Sequence, residues 1–268
     1  MNLFTEFAKS HRIIDFHMHP YFTASENICS YKNTLGMTAA DIARDMERCG
    51  ISMWCGCVVD LANRGDVVRS DWKYTAANNA RALALAAAEP RYIPGIHVHP
   101  AFPEESYEAV KAAHAAGVKL IGELVPYMQG WTDYSDPALF EVFELAGRLG
   151  MVVSYHSMDD AQMEAMIAAH PSTIFVAAHP GERDKYMLHL ERLKKYDNAY
   201  LDISGTGLFR YGMLAHGVSV VGSERILFGS DYPVCSPGMN LGGVMYEKLA
   251  ERDVENILSK NAEKLLGL

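Results

Sequence analysis

Short apolar, β-rich runs alternate along the chain with longer segments of helical composition. The runs are RIIDFH (12–17), SMWCGCVVD (52–60), YIPGIHV (92–98), VKLIGEL (118–124), MVVSYH (151–156), IFVAAH (174–179), AYLDIS (199–204) and ILFGSD (226–231). Most are apolar at successive positions, as strands buried on both faces require, which predicts eight parallel strands covered by helices. The intervening segments carry helix punctuation. TAADIARDMERCG has Thr38 as a candidate N-cap and Gly50 as a stop, NNARALALAAAEPR ends before its proline, and EESYEAVKAAHAAG and DPALFEVFELAGRLG both end on glycine. AQMEAMIAAHP, KYMLHLERLKKYD and MLAHGVSVVG fill the next intervals, and the tail ERDVENILSKNAEKLLGL predicts a last helix broken near Asn261.

Eight such units in 268 residues fit a distorted (β/α)8 TIM barrel, with 1–268 as one domain. A doubly wound open sheet would alternate in the same way, but no Gly-rich phosphate loop follows the first strand. The long loop over 20–37 enters on the side of the strand C-termini and is expected to form a substrate lid.

Chemistry concentrates at those strand ends. His17 and His19 in DFHMHP are two apart, so both imidazoles can leave one side of an extended backbone. Glu123 closes an otherwise apolar run, where an unpaired carboxylate would be costly, so a cation or an arginine must offset it. His156, His179 and Asp231 each end a later run. Ligand-type residues at the same end of several strands predict a metalloenzyme pocket, with His17, His19, Glu123, His156, His179 and Asp231 as the metal set. Asp231 could also take a proton from a water whose pKa a bound ion lowers from ~16 towards ~7, while His179 could instead face the substrate in protonated form. The mixed nitrogen and oxygen donors suit one or two zinc ions by default, and manganese, nickel or iron as well. His97 and His99 repeat the spacing of two one strand earlier, and are expected either to contact substrate or to brace the loop at Pro100. Tyr21, Tyr127 and Arg210 are the remaining substrate-binding candidates, with Arg69 and Arg183 as further loop cations.

Composition narrows the partners. A formal charge of −9 without a basic run disfavours nucleic acid and acidic lipid, leaving a small molecule as the expected partner. No apolar stretch is long enough to span a membrane, and the segment MNLFTEFAKSHRI lacks secretory features. Five cysteines without CxxC spacing fit a reducing cytoplasm better than a disulfide scaffold. Cys55 and Cys57 are expected as small buried residues, with Cys29 and Cys235 in loops near the pocket. Self-association is left open.

The ordered pieces DFHMHP, GVKLIGELVPY, VVSYHS, FVAAHP, ILFGSDYP and NAEKLLGL resemble the amidohydrolase superfamily, in particular its amidohydrolase-related and TatD-like branches, over nearly the whole chain. The resemblance implies a distorted barrel with metal at the C-terminal strand ends. His17 and His19 would match the first-strand pair, His156 and His179 the fifth- and sixth-strand histidines, and Asp231 the eighth-strand aspartate. Many relatives carry a carboxylated lysine after strand four. Here Lys119 is a poor match, and Glu123 resembles the carboxylate with which TatD-like hydrolases hold or bridge two ions. The implied function is hydrolysis of a small ester, lactone, amide or phosphoester. The alternatives are a metal-dependent decarboxylase of an aromatic or unsaturated acid, a TatD-like nuclease, which the charge disfavours, and a non-catalytic metal-binding interaction module.

Overall fold

The computed structural model describes residues 2–23, 28–29, 39–59, 71–207 and 210–268. Thr38, Arg69 and most of the 20–37 loop lie outside the described residues. Eight parallel strands follow one another in chain order around the sheet: β1 (Ile14–Asp15), β2 (Met53–Gly56), β3 (Tyr92–Ile96), β4 (Leu120–Leu124), β5 (Val152–His156), β6 (Ile174–Ala178), β7 (Ala199–Asp202) and β8 (Ile226–Leu227). Each strand falls inside an apolar run of the sequence. The regular ladders are shorter than the runs because the chain leaves ladder geometry near the site. Past β1 and β8 the backbones still pair. Phe16 N–H donates to the Phe228 carbonyl (2.9 Å), the His17 carbonyl accepts from Asp231 N–H (2.8 Å), and His19 N–H donates to the Tyr232 carbonyl (2.7 Å), closing the ring.

The helices are α1 (Leu3–Phe7), α2 (Ala39–Arg48), α3 (Trp72–Ala88), α4 (Pro103–Ala115), α5 (Pro126–Gln129), α6 (Phe140–Arg148), α7 (Asp160–Ala169), α8 (Arg183–Lys195), α9 (Met213–Val221), α10 (Pro237–Met245), α11 (Glu251–Glu255) and α12 (Asn261–Leu266). α3 starts earlier than its alanine-rich sequence suggests because the Asp71 carboxylate caps Lys73 N–H (3.0 Å). Asp159 caps α7 in the same way through Ala161 and Gln162. A π-helical turn, Asn256–Lys260, separates α11 from α12 just before Asn261, where the sequence predicts the break. Asn261 then ties the tail to the barrel by donating to the carbonyls of Ser223 and Ile226, both at 2.7 Å.

Inside the ring Ile14, Leu120, Val152, Val176 and Leu227 pack together, and Ala262 and Leu266 of α12 join them. Outside it, Ile96, Ile121, Val153, Phe175 and Leu201 pack against α4, α6, α7 and α8. Burial on both faces is what the unbroken apolar runs require. Two glycines let neighbouring backbones approach. A methyl group on Gly56 would meet the Met18 carbonyl, and one on Gly95 would meet the Gly122 carbonyl. β1 through β4 are thereby drawn close beneath His19 and Glu123.

Gly95→Ala is therefore expected to destabilise the protein by about 2–3 kcal/mol in urea denaturation, because the clash is with backbone that cannot rotate away. Gly242→Ala, in α10 with nothing within 4 Å of the added methyl, should be neutral or stabilising by up to about 1 kcal/mol. An unchanged midpoint for Gly95→Ala would show that this close approach is not a constraint.

Candidate metal centre

The first strand carries its own scaffold for the HxH pair. The buried Asp15 carboxylate accepts from His17 N–H (3.1 Å), from Ser230 N–H (2.9 Å) and from the Ser230 hydroxyl (2.5 Å), joining the β1 and β8 ends beneath the histidines. Burial pushes the Asp15 carboxyl up to about 7 despite these donors. The ring of His17 turns its Nδ1 to Asp202 Oδ2 (2.9 Å), and that of His19 turns its Nδ1 to the Cys57 carbonyl (3.2 Å). Both Nδ1 atoms therefore carry the proton, and both Nε2 lone pairs face inward, 3.3 Å apart. Two acceptors at that distance need a shared proton or a cation between them.

Glu123 lies at the middle of the cluster and divides its oxygens. Oε2 stands 3.3 Å from His17 Nε2 and 3.1 Å from His19 Nε2, while Oε1 stands 2.9 Å from His156 Nδ1 and 3.4 Å from His179 Nε2. Asp231 Oδ1 approaches the HxH side, 3.7 Å from His17 Nε2 and 3.6 Å from His19 Nε2. Ligand atoms of His17, His19 and Asp231, and separately those of His17, Glu123 and His179, lie within 4.8 Å of one another. The structure thus brings together all six residues that the sequence nominates as ligands.

Charge is unbalanced in this cluster. Burial alone would raise the Glu123 carboxyl, but the His17 charge and hydrogen bonds from His156, His17 and His179 hold it well below the usual range. Burial would likewise lower His17, yet the charges of Glu123 and Asp202 hold it well above its ordinary value. His179 is raised in the same sense, with burial opposed by Glu123. Burial also raises Asp231, in spite of the imidazoles around it. Carboxylates that stay ionised and histidines that hold on to protons mark a place where positive charge is required, and a divalent cation supplies it more compactly than protons do. The donor set fits one: imidazole nitrogens whose far sides are bonded to a carboxylate or a backbone carbonyl, beside carboxylate oxygens.

Sequence reasoning missed this outer support. Asp202 and Ser204 of the AYLDIS run hold two imidazoles: the Ser204 hydroxyl lies 2.9 Å from His17 Nδ1 and 3.1 Å from His179 Nδ1, and also donates to Asp202. The signal was present, since Asp202 ends an apolar run just as Glu123 does. On the other flank Ser157 bonds the Ala178 carbonyl and His189 Nε2 (3.2 Å), and His189 Nδ1 accepts from Arg192 (2.9 Å). Burial, aided by the Arg192 charge, lowers His189 to about 3, so it is neutral. His179 and Asp231 are the two non-glycine residues with left-handed backbones among the described residues, φ 69° and 60°, a conformation that persists only where neighbours enforce it.

A cleft of about 360 Å³ opens beside His156, His179 and Asp231, walled by Met158, Lys185 and Val234. A second of about 310 Å³ continues from it across Gly205, Thr206 and Cys235. Of the expected substrate contacts, Tyr127 is exposed and lies edge-on to His156, a cleft residue, at 5.3 Å. The others are placed differently. His99 commits Nε2–H to the Gln129 carbonyl (3.0 Å) and Nδ1 to Ala101 N–H (3.1 Å), so it braces its loop. His97 donates to the Val58 carbonyl (3.0 Å), is lowered by burial to about 4, and borders a separate cavity of about 20 Å³. Tyr21 is buried against Tyr232, and Arg210 is exposed and holds Glu182 at 2.7 Å. Cys55 and Cys57 are buried, the Cys57 thiol donating to the Glu123 carbonyl (3.0 Å), and Cys235 borders both clefts.

The sequence profile of the amidohydrolase family matches residues 14–268. No curated protein matches the chain. Among solved structures, 2,6-dihydroxybenzoate decarboxylase from Rhizobium superposes with a TM-score of 0.74 at 15% identity, over 96% of this chain and 99% of that one. 5-Carboxyvanillate decarboxylase from Novosphingobium aromaticivorans, complexed with manganese, gives 0.69 at 14% identity, over 97% of each chain. A Pseudomonas putida protein assigned as a 2-pyrone-4,6-dicarboxylic acid hydrolase gives 0.67 at 17%, over 96% and 97%. At these identities the likeness is one of fold.

The neutral, buried His189 makes a pH prediction. Its folded pKa lies below the unfolded value of 6.5, so its contribution to stability is full above that value and is lost as pH falls towards 3. His189→Gln, which keeps one donor and one acceptor, should lose less stability than the wild type between pH 6.5 and 4, the difference growing by up to ~1.4 kcal/mol per pH unit. Parallel urea-denaturation curves for the two proteins would show that His189 already titrates normally.

Proposed function

The chain belongs to the amidohydrolase family, and from that premise we propose that it is a metal-dependent hydrolase acting on a small organic ester, lactone, amide or phosphoester with two divalent ions held across Glu123. The observation that supports this reading most directly is the division of Glu123, with Oε2 turned to the His17 and His19 nitrogens and Oε1 to those of His156 and His179. A carboxylate placed in this way suits a bridge. One ion would be held by His17, His19, Asp231 and Oε2, the other by His156, His179 and Oε1. Such a pair, when bound, polarises a scissile bond and brings the pKa of a water towards neutrality.

The protein's own groups do the rest. Asp231 stands at the open edge, its side chain 11% exposed against 1% for His17, so it is the buried carboxylate that substrate and water can reach. Its raised pKa suits a group that takes a proton from the attacking water and returns it to the departing atom. The loop behind it is pinned, because the Asp231 carbonyl accepts from Val234 N–H (2.8 Å) and Cys235 N–H (3.0 Å). Tyr127 beside His156 and the apolar wall of Met158 and Val234 would position a small organic body and exclude water from it. Zinc is the default ion for this donor set, and manganese, present in one decarboxylase of similar fold, suits it equally. No helix among the described residues is long and apolar enough to cross a membrane.

A second reading, a metal-dependent decarboxylase, is favoured by the names of the structurally similar proteins. In it the carbon–carbon bond to the carboxylate breaks, carbon dioxide leaves, and His179, at the cleft wall, returns a proton to the carbanion carbon. That assignment would remove His179 from the ligand set.

Mass spectrometry of protein purified without chelator is expected to find about two ions per chain, falling towards one in Glu123→Gln. Two ions retained in that variant would remove the bridge. Asp231→Asn should keep most of its metal and lose about 10²–10⁴-fold in turnover on a panel of esters, lactones, amides and phosphoesters. Carbon dioxide release from aromatic acids, without turnover on that panel, would replace the hydrolase reading by the decarboxylase one.

A further inference from the structure

We propose that His189, held by Arg192 and acting through Ser157, is a positioning residue for the His156 and His179 half of the metal centre and leaves the His17 and His19 half alone. The inference rests on the two-ion reading above.

Ser157 follows His156, and its hydroxyl donates to the carbonyl of Ala178, the residue before His179; the His179 carbonyl lies 3.4 Å away. One hydroxyl therefore ties together the ends of β5 and β6, the two strands that deliver this pair of imidazoles. Its single proton is spent on a carbonyl, so the oxygen accepts from its other neighbour, His189 Nε2 at 3.2 Å. His189 can donate from Nε2 in its neutral form when Nδ1 is the acceptor. Arg192, which has donors and no acceptor, imposes that arrangement from 2.9 Å. Arg192 is itself 2% exposed, and Asp160 offsets its charge at 2.8 Å while also holding Lys185 at 2.7 Å. The direction of every bond from Arg192 through His189 and Ser157 to Ala178 is thus determined.

The backbone explains what this chain of bonds holds. His179 has φ 69°, a conformation that a non-glycine residue leaves unless its peptide neighbours are gripped. Releasing the carbonyl before it lets the backbone return towards ordinary φ and carries the imidazole away from Glu123 Oε1. Ser204 still holds His179 Nδ1 (3.1 Å), so the consequence is a weaker site and not a missing one. The other half has supports of its own, Asp202 Oδ2 for His17, the Cys57 carbonyl for His19 and the β1–β8 pairing for Asp231, while Ser204 and Asp202 Oδ1, which accepts from His179 N–H at 3.5 Å, touch both halves. None of them passes through His189.

The test is stepwise Mn²⁺ binding to the metal-free full-length chain, followed by calorimetry and by electron paramagnetic resonance, for wild type, His189→Phe, His189→Gln and Ser157→Ala. The wild type should take up two ions with an exchange-coupled spectrum. His189→Phe should bind the first ion as wild type does and the second 10–100-fold more weakly, showing an uncoupled signal at two equivalents. His189→Gln should restore both affinities. Ser157→Ala, which removes the hydroxyl at the centre of the relay, should behave like His189→Phe and carries the test if that variant does not fold. Unchanged second-ion affinity in His189→Phe or Ser157→Ala overturns the inference, as does equal weakening of both ions. A wild type that binds one ion overturns the two-ion reading itself and, with it, this inference.

Discussion

A carboxylate that is 3% exposed and stays ionised sets the terms for this molecule. Glu123 cannot be buried as an anion without compensation, and among the described residues no lysine or arginine pairs with it. Four imidazoles from β1, β5 and β6 converge on it instead. Their convergence in turn demands that the strand ends come closer than regular ladders allow, which is why glycines stand at 56 and 95 and why β1 and β8 continue as irregular paired chain. Electrostatics at the centre and backbone geometry in the wall are the same problem seen from two sides.

The two halves of the cluster are built by different means. His17 and His19 are nearly sealed, and their far nitrogens are bonded to a carboxylate and a backbone carbonyl. His156 and His179 are 25% and 16% exposed and border the cleft, and a serine and a neutral histidine secure the backbone they stand on. The cluster therefore has one sealed half and one half that opens to the cleft. Asp231 spans both settings, facing the sealed pair with one oxygen while lying on the cleft wall.

The barrel was legible in the sequence because strands buried on both faces leave continuous apolar runs, and every observed strand falls within one. The convergence of the six nominated residues was legible for a related reason: a polar residue closing an apolar run stands out when the same thing happens at one end of several strands. Asp202 met that criterion as well as Glu123 did and was overlooked. Asp15 was hidden inside the first run. His189 and Arg192 were beyond reach, since three residues apart on an amphipathic helix they read as ordinary polar positions, and their role comes from packing against a different strand. Tyr21 and His99 were misplaced for the opposite reason. Proximity in sequence to a strand end says nothing about which way a ring turns, and both rings turn into the wall. Helix α10 carries three glycines within nine residues, and its intrinsic propensity gave no hint of it.

The seam of the barrel runs through the candidate metal centre. His17 and His19 come from the first strand, Asp231 from the last, and the hydrogen bonds that close the ring, His17 with Asp231 and His19 with Tyr232, are made by those residues themselves or their neighbours. The more tightly sealed half of the centre therefore does not exist in a chain whose final strand has yet to dock. In the proposed two-ion reading, an ion held at the His17 and His19 pair would mark molecules whose two ends have found each other.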